Sequence, residues 1–343
     1  MKLLILTQVM DQKDSSLGFF QKWVAMLASK FEHIEVVFLK EGEHHMPANV
    51  SVHSLGKEFG RNRFKYILLF YYFIIKYSRN YDAVFVHMNQ EYVLLGGLLW
   101  KILGKKVFMW RNHYAGSIFT DIAVAFCDKV FCTSRFSYTA RFKKTVLMPV
   151  GVDEQSVHLD EHIDRIPRSI LFLGRLDISK RPDLLLEALG ILAKQGIEFT
   201  ATFAGGPSDK NSEYPAKLHA QAEALNITDR IVFVGAVPNT ETYRYYRAAD
   251  IFVNCSKSGM FDKTIFKAIA CGCLVLATSR DFADLVGQEF VFPEHDAMAL
   301  AAKLKEFLAL SPADRAQLLG ILASSVTRHR LPVLVERLAE EMA

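Results

Sequence analysis

The 343-residue sequence has no apolar run long enough to span a bilayer. The longest, Tyr66–Ile75 and Tyr92–Trp100, fall well short of the ~20 residues that a membrane helix needs. There is no C-x-x-C. The five cysteines, Cys127, Cys132, Cys255, Cys271 and Cys273, are an odd number scattered through apolar segments. That pattern argues against a disulfide framework and for reduced core thiols in a cytosolic protein. Ser134 follows a candidate strand, but no G-x-S-x-G elbow occurs, so a hydrolase triad has no support. Internal repeats and low-complexity tracts are also lacking. At the N-terminus, MKLLILTQVMDQKD carries an apolar run too short for a signal-peptide core, with Asp11 and Asp14 following at once. It is expected to be a buried first strand.

What is present is a globular composition, 51% apolar and 23% charged, in a chain long enough for two domains. Charge is divided unevenly. Residues 1–150 hold 20 Lys/Arg against 11 Asp/Glu, a net of +9, while the whole chain is only +4. The remainder is therefore acidic, and the basic first half is suited to meeting something anionic.

Apolar strands alternate with helical patterns throughout. In the first half, strands are expected at Leu3–Thr7, Ile34–Leu39, Ala83–His87, Lys106–Trp110, Lys129–Cys132 and Thr145–Met148. Helices are expected at Gly18–Ser29, Arg63–Tyr77, Glu91–Leu103, Ile118–Ala125 and Arg135–Phe142. The charged, aperiodic stretch Asp153–Arg168 reads as a linker. Beyond it, strands are expected at Ile170–Leu173, Thr200–Ala204, Ile231–Val234, Ile251–Asn254, Leu274–Ala277 and Phe290–Phe292. The helices between them are expected at Arg181–Gln195, Tyr214–Leu225, Thr240–Ala248, Lys263–Ala270 and Ala297–Leu308. Pro312–Met342 reads as two final helices. Continuous apolar strands separated by helices indicate parallel sheets covered on both faces. The expected architecture is α/β: two doubly wound domains, 1–155 and 156–325, facing across a cleft, with a last helix, 326–343, returning to the first domain.

The richest stretch chemically is RSILFLGRLDISKRPDLLLEALGIL. A strand ends at Gly174, a loop carries Arg175 and Lys180, and a helix opens at Arg181-Pro182, where proline is tolerated. Two cations beside a helix N-terminus suit a diphosphate. A solvated basic loop is the competing reading.

The spacing Gly174-Arg175 through Lys180 resembles family 4 of the GT-B glycosyltransferases, the retaining group that uses sugar nucleotides. The resemblance extends through Thr202–Pro207, whose Gly205-Gly206 looks like the family's glycine turn. It continues through Arg230–Gly235, ending at Gly235 near the expected nucleobase, and Tyr246–Val253. In order and interval these segments together are specific, although each alone is weak. The resemblance implies that Arg175 and Lys180 bind the donor pyrophosphate without an obligatory metal. No D-x-D occurs here, in agreement with that.

The next segment departs from the family. Members usually carry two glutamates separated by seven residues. Here Gly259 stands at the first position and Lys267 at the second, and Leu274 replaces the usual proline. The second acid accepts hydrogen bonds from ribose in the family, which an ammonium cannot do. Either Lys267 pairs with phosphate or a nearby acid, or donor binding is degraded. Asp262, just ahead of a helix with Lys263 and Thr264, suits an N-cap or a contact with donor hydroxyls and phosphate.

The first half resembles the family's acceptor domain less specifically. Its loop Asp14–Phe20 has a single glycine, Gly18, at a loop-to-helix junction able to present backbone N–H groups to an anion. His113 matches a family histidine that meets the donor sugar, whereas His87 has position alone to recommend it; a lone histidine is often structural. His158 and His162, like His44-His45, lack a further ligand set, so no metal site is expected. Arg61–Arg79 is an aromatic-rich helix with basic ends. It is either a core helix or one resting on an anionic leaflet, aided by Lys105, Lys106, Lys143 and Lys144.

The resemblance thus implies a cytoplasmic enzyme that moves a sugar from a nucleoside diphosphate sugar, UDP- or GDP-linked, to a glycan or lipid-linked acceptor, with retention. His113 and Asp262 are the candidate catalytic residues. The expected donor set is Gly18, Gly174, Arg175, Lys180, Gly205, Gly235, Gly259, Asp262, Lys263, Thr264 and Lys267. No cofactor and no metal are expected, peripheral contact with the inner face of an anionic membrane is, and nucleic acid has no recognised module. The alternative is a non-catalytic GT-B binding protein that lost the glutamate pair.

Overall fold

The computed structural model describes residues 1–14, 17–60, 62–153, 162–207, 209, 212–259 and 261–343. The chain forms two compact units. One comprises Met1–Pro149 with Leu331–Ala343, the other Val150–Arg330. The divisions fall near, but not at, the boundaries expected at 155 and 325.

The first unit holds β1 (Lys2–Met10), α1 (Phe20–Leu27), β2 (His33–Glu41), β3 (Val50–Ser54), α2 (Arg63–Lys76), β4 (Ala83–His87) and α3 (Glu91–Ile102), followed by β5 (Lys106–Trp110), α4 (Ile118–Phe126), β6 (Lys129–Cys132) and β7 (Thr145–Leu147). Its seven strands form one sheet in the order β3-β2-β1-β4-β5-β6-β7, and every pairing is parallel. The apolar run of β1 is buried on both faces because alternate side chains enter different cores. Leu3 and Ile5 pack with Trp23 of α1, whereas Leu4 and Leu6 pack with Phe70 of α2, Trp100 of α3 and Val124 of α4. The chain's last helix, α12 (Leu331–Met342), buries Leu334, Leu338 and Met342 in the first of these cores, and Lys129 bonds Glu341 at 2.9 Å.

The second unit holds β8 (Ser169–Leu173), α5 (Pro182–Lys194), β9 (Thr200–Ala204), α6 (Tyr214–Ala224), β10 (Ile231–Gly235), α7 (Thr242–Ala248) and β11 (Ile251–Asn254). It continues with α8 (Lys263–Ala270), β12 (Leu274–Ala277), α9 (Arg280–Val286), α10 (Ala297–Leu308) and α11 (Pro312–Val326). Five parallel strands run in the order β10-β9-β8-β11-β12. Both units are therefore Rossmann-like and doubly wound, the α/β architecture read from the sequence.

Two expected elements are replaced. Arg135–Phe142 is no α-helix: only Tyr138–Arg141 forms a 3-10 turn. Ser134 Oγ accepts from Phe136 N at 3.0 Å and Asn112 Oδ1 from Ser137 Oγ at 3.1 Å, and such side-chain bonds offer the backbone an alternative to helix. Phe290–Phe292 is no strand either. A 3-10 turn over Gln288–Phe290 drops Phe290 into the core, and only Val291 bridges to Ala277. Pro293, with no N–H to give, ends the ladder there. Two elements appear where none is expected, the edge strand β3 and the short helix α9. β3 (VSVHS) has no apolar run, and α9 is one loop's worth of chain closed by Ser279, whose hydroxyl accepts from Phe282 N.

Candidate functional site

The strand order puts the switch point of the second unit between β8 and β11. From β8 the chain winds outward to β9 and β10, and from β11 it winds the other way to β12. Loops leaving the carboxyl ends of strands at such a point are where doubly wound sheets bind ligands. The β8 loop brings Lys180, and the β11 loop brings Asn254, Ser256 and Asp262.

These four side chains form one network. Lys180 Nζ lies 2.5 Å from Asp262 Oδ2 and 3.1 Å from Ser256 Oγ. The same carboxylate oxygen accepts from Ser256 Oγ at 2.8 Å and Asn254 Nδ2 at 3.2 Å, and Asn254 Nδ2 also reaches Thr264 Oγ1 at 3.2 Å. Burial pushes the Asp262 carboxyl up. The Lys180 charge and the bonds from Lys180, Ser256 and Asn254 outweigh that and hold it below the ordinary aspartate range. Asp262 does occupy the N-cap position of α8, but its side chain makes no cap bond; the capping reading is corrected, because the carboxylate turns to Lys180 instead. An ammonium has three N–H donors, two of which are directed at Asp262 and Ser256.

Arg175 lies in the same loop, half exposed, with Nε 3.5 Å from Asp177 Oδ2. Asp177 braces the loop by accepting from Ser179 N at 3.0 Å and from Ser179 Oγ at 2.5 Å. The neighbouring strand ends are laced together: Gly174 N donates to Ala204 O at 3.0 Å, Leu176 N to Gly206 O at 2.9 Å, and Gly205 N to Gly235 O at 2.7 Å. Gly205 has φ +146°, and a Cβ there would lie 1.8 Å from the Gly174 carbonyl oxygen, so no other residue fits. Arg181, the other cation at the start of α5, is spent on structure. It is paired with Asp183, whose Oδ1 also accepts from Tyr214 OH at 2.6 Å, and it contacts His295.

Along α8, Lys263 and Lys267 stand one turn apart. Lys263 Nζ is sealed from solvent, and burial first, then the Lys267 charge, holds its ammonium well below the usual lysine range, against the pull of Asp153. Burial also lowers Lys267, whose Nζ donates to Asn239 Oδ1 at 2.8 Å. Gly259 has φ +97°, a conformation that the family's glutamate would adopt only under strain. Beside it stands an acid that the sequence reading missed. Glu294 Oε1 accepts from Ser258 N at 2.9 Å, and Ser258 Oγ in turn accepts from Arg280 N at 3.1 Å. Glu294 follows the Val291–Ala277 bridge and so reaches the carboxyl edge of the sheet; no spacing in the sequence ties it to Ser258.

In the first unit the candidates are dispersed. Gly18 N donates to Asp14 O at 3.0 Å, so its N–H is spent within the loop, and a Cβ would meet that oxygen at 2.6 Å. Ser15 and Ser16, like His158, Arg61 and Met260, lie outside the described residues. His87 ends β4 fully buried, stacked on Phe20 with ring centroids 3.8 Å apart, Nδ1 being 3.4 Å from Thr7 Oγ1. His113 lies in the loop after β5, stacked on Tyr114 with centroids 4.5 Å apart and accepting from Ala115 N at 3.0 Å. His44 faces Glu41 at 3.4 Å, and the exposed His162 faces Asp164 at 2.9 Å. Among the described residues no group of three or more His, Cys, Asp or Glu could hold a metal ion. All five cysteines are buried and none is in a disulfide.

Residues 167–309 match the family model described as Glycosyl transferases group 1. The D-inositol 3-phosphate glycosyltransferase 2 of Catenulispora acidiphila is 38% identical over 112 residues, 32% of this chain and 26% of the relative. The D-inositol 3-phosphate glycosyltransferase of Frankia alni is 36% identical over 121 residues, 34% of this chain and 30% of the relative. The chain thus spans roughly a quarter to a third of the length of these curated relatives. Solved structures align over nearly all of it. Anabaena Alr3699/HepE in complex with UDP and glucose has a TM-score of 0.78 at 17% identity, covering 99% of this chain and 98% of that one. Sucrose-phosphate synthase from Thermosynechococcus elongatus has a TM-score of 0.79 at 17% identity, with the same coverage. Residues 167–309 of the second unit are thus similar to the Glycosyl transferases group 1 family, in a chain with the GT-B fold.

Proposed function

We propose that the protein is a glycosyltransferase that moves a sugar from a nucleoside diphosphate sugar to a glycan or lipid-linked acceptor, with retention of configuration. The observation that carries this reading is Lys180, held by Asp262 and Ser256 at the switch point of the matched domain, with Arg175 in the same loop. Asp262 anchors the ammonium in advance, so that its remaining donor meets a diphosphate without reorganisation. Arg175 adds a planar donor suited to phosphate. As the glycosidic bond breaks, these two cations offset the charge that gathers on the departing diphosphate, the task a divalent ion performs elsewhere. The diphosphate oxygen takes the proton of the incoming hydroxyl on the same face, which yields retention and requires no separate strong base.

Glu294 supplies the acceptor of sugar hydroxyl protons that Gly259 cannot. One oxygen is fixed by Ser258 N, and the carboxylate is assigned to the donor sugar. Support also comes from the similarity of part of this chain to D-inositol 3-phosphate glycosyltransferases, and from the UDP and glucose bound by Anabaena Alr3699/HepE.

Calorimetric titration with UDP, GDP and ADP tests the reading: binding of one at micromolar to millimolar concentration is expected, and binding of none overturns it. A second reading, a binding protein without turnover, is favoured by Gly259 and by Lys267 bonded to Asn239. Tight diphosphate binding with no sugar transferred or released from any bound donor would select that one.

A further inference from the structure

Most of the exposed large apolar side chains of the first unit lie on the layer formed by α2, α3 and α4, while Met1, Phe59, Met88, Leu147 and Val333 stand elsewhere. On α2, Phe64, Leu68, Tyr72 and Ile75 are 72%, 55%, 51% and 55% exposed. Their spacing places them in one stripe, opposite the buried Phe70 and Ile74 that face the sheet. Neighbouring α3 is tied to α2 by Tyr71 OH on Leu95 O at 2.8 Å and exposes Leu98 and Ile102; α4, packed against α3, exposes Ile118 and Phe119. All three helices cover the same face of the sheet. In the second unit the exposed large apolar residues stand singly, as Ile178, Val232 and Met298 do on separate elements.

The charges around this layer match its apolar stripe. α2 opens with Arg63 and Lys65, closes with Lys76, and has no acid within it. Lys76 Nζ lies over the Tyr72 ring at 5.2 Å, its stem following the apolar surface. The acids on these three helices are Glu91, at the start of α3, and Asp121, which Arg141 neutralises at 2.6 Å. Aromatic and aliphatic residues on one face with lysine and arginine at its margins mark a helix lying in a membrane interface. Protein–protein interfaces, by contrast, are depleted in lysine. No helix among the described residues is long and apolar enough to cross a membrane.

We propose that the α2–α3–α4 layer docks on an anionic phospholipid surface, with α2 lying in the plane of the interface. The inference rests on the first unit alone and stands whatever the chemistry of the second. Acidic headgroups engage Lys65 and Lys76 while Phe64, Leu68 and Tyr72 enter the acyl boundary.

Flotation of the full chain with vesicles tests this. The protein is expected to float with phosphatidylglycerol-rich vesicles, and not with pure phosphatidylcholine at moderate salt. Lys65→Gln and Lys76→Gln each lower the partition about fivefold, and Leu68→Glu with Tyr72→Glu lowers it more than about tenfold. These side chains are exposed, so the variants keep the wild-type melting temperature. Three results would each overturn the proposal: no flotation with anionic vesicles, flotation unchanged in the Leu68/Tyr72 variant, or a lipid-free dimer that this variant converts to monomer.

Discussion

Lys180 Nζ and Asp262 Oδ2 lie 2.5 Å apart, with side chains only 14% and 21% exposed. The cation proposed to receive phosphate is therefore also the partner of a largely buried carboxylate. Lys180→Ala should weaken diphosphate binding by about tenfold to a hundredfold, the range of a charge-assisted hydrogen bond. It should also lower stability by about 2 kcal/mol, because Asp262 is left uncompensated. Adding Asp262→Asn should restore much of the stability and none of the binding. Urea denaturation and calorimetry read the two effects separately, and full diphosphate affinity in the single variant would sink the clamp.

Arg175 behaves differently. Its side chain is 52% exposed and its contact with Asp177 is long, at 3.5 Å. Surface pairs of this kind contribute about 0–1 kcal/mol. Arg175→Ala should leave the unfolding midpoint almost unchanged while lowering diphosphate affinity by about tenfold. Equal losses of affinity and stability would instead make Arg175 a structural residue.

Glu294 can be separated from the phosphate ligands by the choice of titrant. A glutamine keeps a carbonyl oxygen for Ser258 N but accepts hydroxyl bonds more weakly than a carboxylate. Glu294→Gln should reduce affinity for a nucleoside diphosphate sugar about tenfold, with affinity for the free nucleoside diphosphate unaltered. Parallel losses for both ligands would remove Glu294 from the sugar site.

The clamp loop was legible in the sequence because its parts are local: Gly174, Arg175 and Lys180 lie between one strand and one helix. The strands were legible because a parallel sheet buried on both faces leaves continuous apolar runs such as LLIL and AVFV. Pairings that depend on the fold were not. Asp262 reads as a cap until the β8 and β11 loops are brought together, and Glu294 has no local signal at all. Ser134 and Pro293 altered the elements around them through hydrogen bonds made or withheld, which hydrophobic periodicity does not register.

Gly259 shows why the acid expected there is missing. With φ +97°, the loop holds a backbone conformation that residues with a Cβ adopt at a cost of about 1–3 kcal/mol. Gly259→Glu should therefore destabilise the protein by that amount, and Gly259→Ala nearly as much, since the cost lies in the backbone. Chemical denaturation of the pair decides it: an alanine variant as stable as the wild type would mean that the loop tolerates a side chain and that strain is not the reason.

His329 makes stability depend on pH in a defined window. Its Nδ1 accepts from Val150 N at 3.1 Å, its ring packs on Phe266 with centroids 4.3 Å apart, and its carbonyl accepts from Val152 N at 2.8 Å. Burial, and then the charge of Arg328, push its pKa down from 6.5 to about 4. Between those values the unfolded chain binds a proton that the folded chain refuses, so stability is fully present above about 6.5 and is lost as the pH falls toward 4. The loss amounts to about 3 kcal/mol at most. Unfolding midpoints measured from pH 7 to 4.5, above the range where carboxylates dominate, should fall steadily in the wild type. His329→Asn keeps an acceptor for Val150 N and should flatten that limb, whatever its absolute stability. An unchanged slope in the variant would assign the acid sensitivity to other groups.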